Sequence, residues 1–168
     1  MYNRRSFHTA LGAAALSSFV APNGLLGPLD VLAQEAAKNP GQAPEFEGVT
    51  EWINTEPVKL ADLRGRVVVV HFYAFNCINC IRNLPHYNKW QKDFADQPVT
   101  IVGLQTPETD DERKIELVRK KAKESEMTHA IGFDADSKMW NAWGNDLWPT
   151  VYLIDRRGRV RYRWRGEL

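Results

Sequence analysis

Phe72-Tyr-Ala-Phe-Asn-Cys77-Ile-Asn-Cys80-Ile-Arg-Asn-Leu-Pro85 decides how this chain is read. An apolar run, Val67-Val-Val-Val-His-Phe-Tyr73, enters it as a strand, and a helix is predicted to begin at the cysteines. The chain holds no other cysteine. A thiol in the first turn of a helix faces backbone N–H groups that lack intrahelical partners, and the positive end of the helix dipole. Both favour a thiolate, which is the nucleophile of disulfide exchange. Cys80, one turn on, is placed to attack a mixed disulfide formed at Cys77 and release the partner.

Two cysteines this close cannot cross-link distant elements, which leaves redox chemistry, part of a metal site, or a chance pair. Haem attachment needs His directly after the second cysteine, where Ile81 stands. Zinc needs two more ligands; His71 lies in the strand and His86 beyond a helical turn. The pair therefore reads as a redox dithiol, with no metal and no organic cofactor.

With 168 residues, 43% hydrophobic and 26% charged, the chain suits one soluble globular domain plus whatever is processed away. Its 22 basic and 21 acidic side chains become 20 and 20 once Arg4, Arg5 and Asp30 are set aside. A neutral domain gives no electrostatic case for nucleic acid or an anionic membrane. Residues 1–33 read as an export leader. Asn3-Arg-Arg-Ser-Phe7 resembles a twin-arginine motif; a mildly apolar stretch over 9–21 follows, and Val31-Leu-Ala33 would permit cleavage. Outside the cytosol a cysteine pair meets oxidising surroundings. Residues 34–48, mixed Glu, Ala, Asn, Pro, Gly and Gln without a period, read as a linker that ends by docking Phe46 on a domain over 49–168.

Within that domain, Trp52-Ile-Asn54 and Pro57-Val-Lys-Leu60 predict a short N-terminal β-hairpin, and residues 60–63 one helical turn closed by Gly65. The continuous apolar run from Val67 is the signature of a strand buried on both faces. A helix over 77–95 repeats apolar residues at Ile78, Ile81, Leu84, Tyr87 and Phe94, with Pro85 inside it as a kink. A second buried strand spans 99–104, ending at Gln105-Thr-Pro-Glu108. The charged helix over 110–126 has a narrow seam at Ile115, Val118 and Ala122; a short extended segment follows at 131–133. Asp136 is the expected N-cap of a helix over 137–143. The last two strands lie at 151–155 and 159–165. In the second, Arg159, Arg161, Arg163 and Arg165 alternate with Val160, Tyr162 and Trp164, which predicts one packed and one solvated face. The order is that of an α/β sandwich with parallel strands first.

A buried strand, Cys77 and Cys80 opening a helix, Pro85 five residues later and Pro149 before a late strand resemble the thioredoxin superfamily, and within it the TlpA-like and DipZ-like extracytoplasmic proteins. The likeness runs from Ala43-Pro44 through Leu63-Arg-Gly-Arg-Val-Val68 to Trp148-Pro-Thr-Val-Tyr-Leu-Ile-Asp155. It implies a thioredoxin-like fold with a mixed central sheet flanked by helices. Cys77 would attack and Cys80 resolve, the two forming a disulfide in turnover. Pro149 would be cis, with the Trp148 backbone offered to a client strand; Phe75, Trp148, Pro149 and Thr150 are the expected substrate-binding residues. Three departures stand out. His71 occupies the place, six before the first cysteine, where many thioredoxins carry a buried acid; it and Glu108 are the candidates for proton transfer. Ile78-Asn79 lies between the cysteines. The usual C-terminal helix is missing after the last strand.

The expectation is an exported thiol–disulfide oxidoreductase that reduces disulfides of exported proteins in the periplasm or another extracytoplasmic space, recharged by a membrane-associated electron donor. An oxidant or isomerase of secreted proteins is the same fold run in reverse. A thioredoxin-fold metal- or protein-binding module is the rival from another class. A peroxidase of the peroxiredoxin kind fits poorly, because its proline–threonine–cysteine constellation does not stand around Cys77.

Overall fold

The computed structural model describes residues 41–168; the leader expected at 1–33 and the linker residues 34–40 lie outside the described residues. Strand β2 (Val67–Tyr73) occupies an interior position of a six-stranded sheet whose order is β1 (Glu51–Ile53), β4 (Ala130–Phe133), β3 (Val99–Gln105), β2, β5 (Thr150–Ile154) and β6 (Val160–Arg165). It pairs in parallel with β3 from Val67↔Val99 to Tyr73↔Gln105, and antiparallel with β5. β4 lies parallel to β3, while β6 closes an antiparallel pair with β5. The unbroken apolar run of β2 follows from this place. Val68, Val70 and Phe72 are sealed into one core with Leu60, Met139 and Trp143. His71 and Tyr73 point the other way, Tyr73 into a core with Cys80, Leu84 and Tyr87.

Several expectations are corrected. The N-terminal hairpin does not form: β1 (Glu51–Ile53) instead pairs antiparallel with β4, 80 residues away. Asn54, at positive φ, turns the chain off that edge while its amide donates to the Met127 and His129 carbonyls. The charged helix is two pieces, a 3-10 turn at Asp110–Arg113 and α2 (Ile115–Glu124), because Lys114 between them is extended. The N-cap of α3 (Lys138–Ala142) is Ser137, at positive φ, rather than Asp136, and the first-turn N–H groups of Met139 and Trp140 are accepted by the Asp134 carboxylate from the loop after β4. Finally, β6 is open on both faces: Tyr162 is 56% and Trp164 42% exposed, where the alternation predicted packing. No described helix follows β6, and this face borders an apolar cavity of about 560 Å³ with Trp90, Phe94 and Leu168.

Helix α1 (Ile78–Asp93) runs through Pro85 without ending. Its buried face is Cys80, Asn83, Leu84 and Tyr87, so the expected stripe is rotated: Ile78 and Ile81 face outward, 58% and 43% exposed. Residues before 49 also pack on this sheet and its core. Ala43 and Phe46 are buried, and Gln42 bridges to Arg159.

Gly103 on β3 matters to the core under α1. A Cβ there would lie 2.8 Å from His71 Nε2 and 3.2 Å from the Tyr73 ring. Gly103→Ala is therefore expected to destabilise the domain by about 1–3 kcal/mol through overpacking, read from the denaturant midpoint at constant m. An unchanged midpoint would mean that the imidazole is free to move.

Candidate active site

Cys77 is the N-cap of α1, with extended backbone, and its carbonyl accepts the first helical N–H, from Ile81 at 3.0 Å. No acidic residue stands in the first turn. Cys77 is half-buried and Cys80 buried, 1% exposed; both are free thiols. Burial pushes the Cys80 thiol up, its hydrogen bond with Cys77 adds to this, and the Glu108 carboxylate works in the same direction. Cys80 thus keeps its proton until something nearby accepts it. The same neighbourhood holds the Tyr73 hydroxyl well above its usual range, through burial first and then the charges of Cys80 and Glu112.

Around the pair, the Trp148–Pro149 bond is cis. Trp148 is half-buried and stacks on Trp140 with ring centroids 3.9 Å apart. Its backbone N–H and carbonyl take no hydrogen bond among the described residues, whereas the Pro149 carbonyl accepts from Gly166 at 2.8 Å. Pro149 and Thr150 are buried, the Thr150 hydroxyl donating to the Leu147 carbonyl at 2.7 Å. Phe75, named among the expected substrate-binding residues, is a core residue at 9% exposure. Exposed apolar surface comes instead from Ile78, Ile81 and Leu147.

The two proton-transfer candidates are placed differently. Glu108 is exposed at the C-terminal end of β3, within electrostatic reach of Cys80. His71 is fully buried; its Nε2 meets His129 Nε2 at 2.9 Å, and its ring stacks on Tyr87 at 3.9 Å. Burial, then the neighbouring His129, hold His71 well below its usual range, and burial takes His129 to about 4. Both imidazoles are therefore neutral at pH 7.

Glu112 was not singled out from sequence, although Thr109-x-x-Glu112 is a capping-box spacing that marks it. Its side chain is wholly buried. One carboxylate oxygen accepts the Asn76 N–H at 2.7 Å; the other accepts those of Glu108 at 2.7 Å and Thr109 at 2.9 Å. Among the described residues no group of three or more His, Cys, Asp or Glu side chains could hold a metal ion.

Comparison with known proteins bears on the family and the fold. The AhpC/TSA family model matches residues 41–163. The chain is 38% identical over 130 residues to protein DipZ of Mycobacterium bovis, a match covering 76% of this chain and 19% of that protein. It thus spans about a fifth of that relative's length. Thiol-disulfide oxidoreductase YkuV of Bacillus subtilis is 25% identical, with 71% of this chain and 80% of that one covered. Among solved structures, a putative thiol:disulfide interchange protein DsbE from Chlorobium tepidum superposes with a TM-score of 0.67 at 26% identity, covering 76% of this chain and 84% of that one.

Proposed function

We propose that this chain, which belongs to the AhpC/TSA family and has a thioredoxin-like fold, is a thiol–disulfide oxidoreductase that reduces disulfides of exported proteins. One observation carries the reading: two free thiols three residues apart at the start of α1, one reachable and one buried. The Cys77 thiolate attacks one sulfur of a client disulfide; the Cys77–client bond forms as the client S–S bond breaks, and a client thiolate leaves. Cys80 then attacks the Cys77 sulfur, closing Cys77–Cys80 and freeing the second client thiol. Two electrons pass to the client. The Cys80 proton goes to Glu108, whose charge acts on that thiol; buried His71, which resists protonation, is not the acceptor.

An extended client segment pairs with the free backbone of Trp148 beside buried Pro149 and Thr150, while Ile78, Ile81 and Leu147 receive apolar side chains flanking the disulfide. Phe75 supports that surface from within the core. Recharging falls to a membrane-associated dithiol donor, and the working compartment is the periplasm or another extracytoplasmic space, reached through a twin-arginine leader at 1–33. The equilibrium reduction potential of Cys77–Cys80, measured by thiol alkylation in redox buffers, tests the direction. A value near about −270 mV supports a reductant, one of roughly −120 to −180 mV an oxidant or isomerase, and no reversible pair removes the enzyme reading.

A further inference from the structure

Asn76 immediately precedes the nucleophile, and its backbone is not held by helix or sheet. Its N–H donates to Glu112, 36 residues away, at 2.7 Å. The Asn76 side chain adds a second tie across the same gap, donating to Thr109 Oγ1 at 3.3 Å. On the far side of the Glu112 carboxylate, Glu108 and Thr109 donate their N–H groups. The fully buried carboxylate thus joins two loops beyond the point where their parent strands β2 and β3 stop pairing, at Tyr73↔Gln105 and the Thr106 N–H bond to the Tyr73 carbonyl, one loop leading into Cys77 and one carrying Glu108. We propose that Glu112 is a positioning residue that latches these loops together and so sets the place of the Glu108 carboxylate relative to the cysteine pair.

Three features favour a positioning role over a merely structural one. Charge-assisted bonds from N–H to carboxylate are about twice as strong as neutral ones, so the latch is stiff. Burial without a cationic partner is tolerated because three N–H donors replace the lost water. Both loops it joins end at the reacting groups: Asn76 abuts Cys77, and Glu108 bears on Cys80. The 3-10 turn at Asp110–Arg113, closed by the capping box of Thr109 and Glu112, delivers the carboxylate to this gap.

This inference rests on the thiol–disulfide reading, and the test separates the two. Ellman's reagent reports each step optically: attack by Cys77 releases one thionitrobenzoate and leaves the other as a mixed disulfide, and attack by Cys80 releases the second. A wild-type chain that releases no second thionitrobenzoate overturns the thiol–disulfide reading itself. Given two phases, Glu112→Gln, which retains one acceptor oxygen, is expected to slow the second by about ten- to a hundredfold. Because Glu112 acts through Glu108, the double variant with Glu108→Gln is expected to be no slower than Glu108→Gln alone. Additive losses, or a wild-type second phase in Glu112→Gln, overturn the latch. Should Glu112→Gln not fold, amide exchange of the wild-type chain decides. The Asn76, Glu108 and Thr109 N–H groups are expected to be protected together, although none lies in a helix or strand; a freely exchanging Asn76 N–H overturns the proposal.

Discussion

Cys77→Ala is expected to lower disulfide turnover by about a thousandfold or more, while Cys80→Ala forms a covalent complex with its substrate and stops there. The asymmetry follows from where the two sulfurs sit. Cys77 caps α1 with its thiol at the surface, so it alone can meet a client sulfur along the line that exchange requires. Cys80 is buried beneath it, with a proton held by burial and by its hydrogen bond to Cys77. It reaches an adjacent Cys77 sulfur but not a client. Removing Cys80 leaves the first step intact and removes the intramolecular second, so mixed disulfide accumulates as a band on a non-reducing gel. Turnover of a protein disulfide with dithiothreitol as donor measures the first expectation. Wild-type turnover in Cys77→Ala, or an equal adduct from both variants, would sink the assignment of roles.

That pair and the strand before it were legible in sequence because everything that defines them is local: an apolar run, two thiols at helical spacing, a Pro that a helix tolerates in place. What lay across the chain was not. β1 has three residues and no pattern of its own, so only its partner β4 shows that it is a sheet edge rather than half of a hairpin. Asp136 precedes α3 by two residues and Asp134 by four; the first-turn N–H groups go to Asp134, which leaves β4 with its carboxylate also accepting the Thr106 hydroxyl at 3.0 Å. On α1 the apolar count misled for a chemical reason. The buried face includes Cys80 and Asn83, which periodicity scores as weak, and Asn83 is retained inside by accepting the Leu168 N–H. Ile78 and Ile81 instead turn outward on the helix that Cys77 caps, where the proposed client would meet them.

The His71–His129 pair, 58 residues apart in sequence, has the second large consequence, in stability against pH. The two share one hydrogen bond between their Nε2 atoms, so one ring donates and the other accepts. Both Nδ1 atoms are buried without a partner. A proton added to either ring would place a charge in a core formed by Tyr73 and Tyr87, whose hydroxyls are neutral, so nothing there repays the lost hydration. Hence the folded state resists protonation, with His129 held at about 4 and His71 well below its usual range. The unfolded chain takes up both protons near pH 6.5. Stability is full above that value and falls as pH drops toward the folded value, because the unfolded state binds more protons throughout the window. From pH 7 to 5 the loss is about 2 kcal/mol from His129 alone, already a sizeable part of the roughly 5–15 kcal/mol of a typical domain, and His71 adds to it in the same direction. Urea midpoints at constant m across that range measure it. His71→Asn with His129→Gln should flatten the slope whatever it does to stability at pH 7. An unchanged slope in that variant, or a wild-type midpoint that does not move, would mean the imidazoles find water or an acceptor when charged.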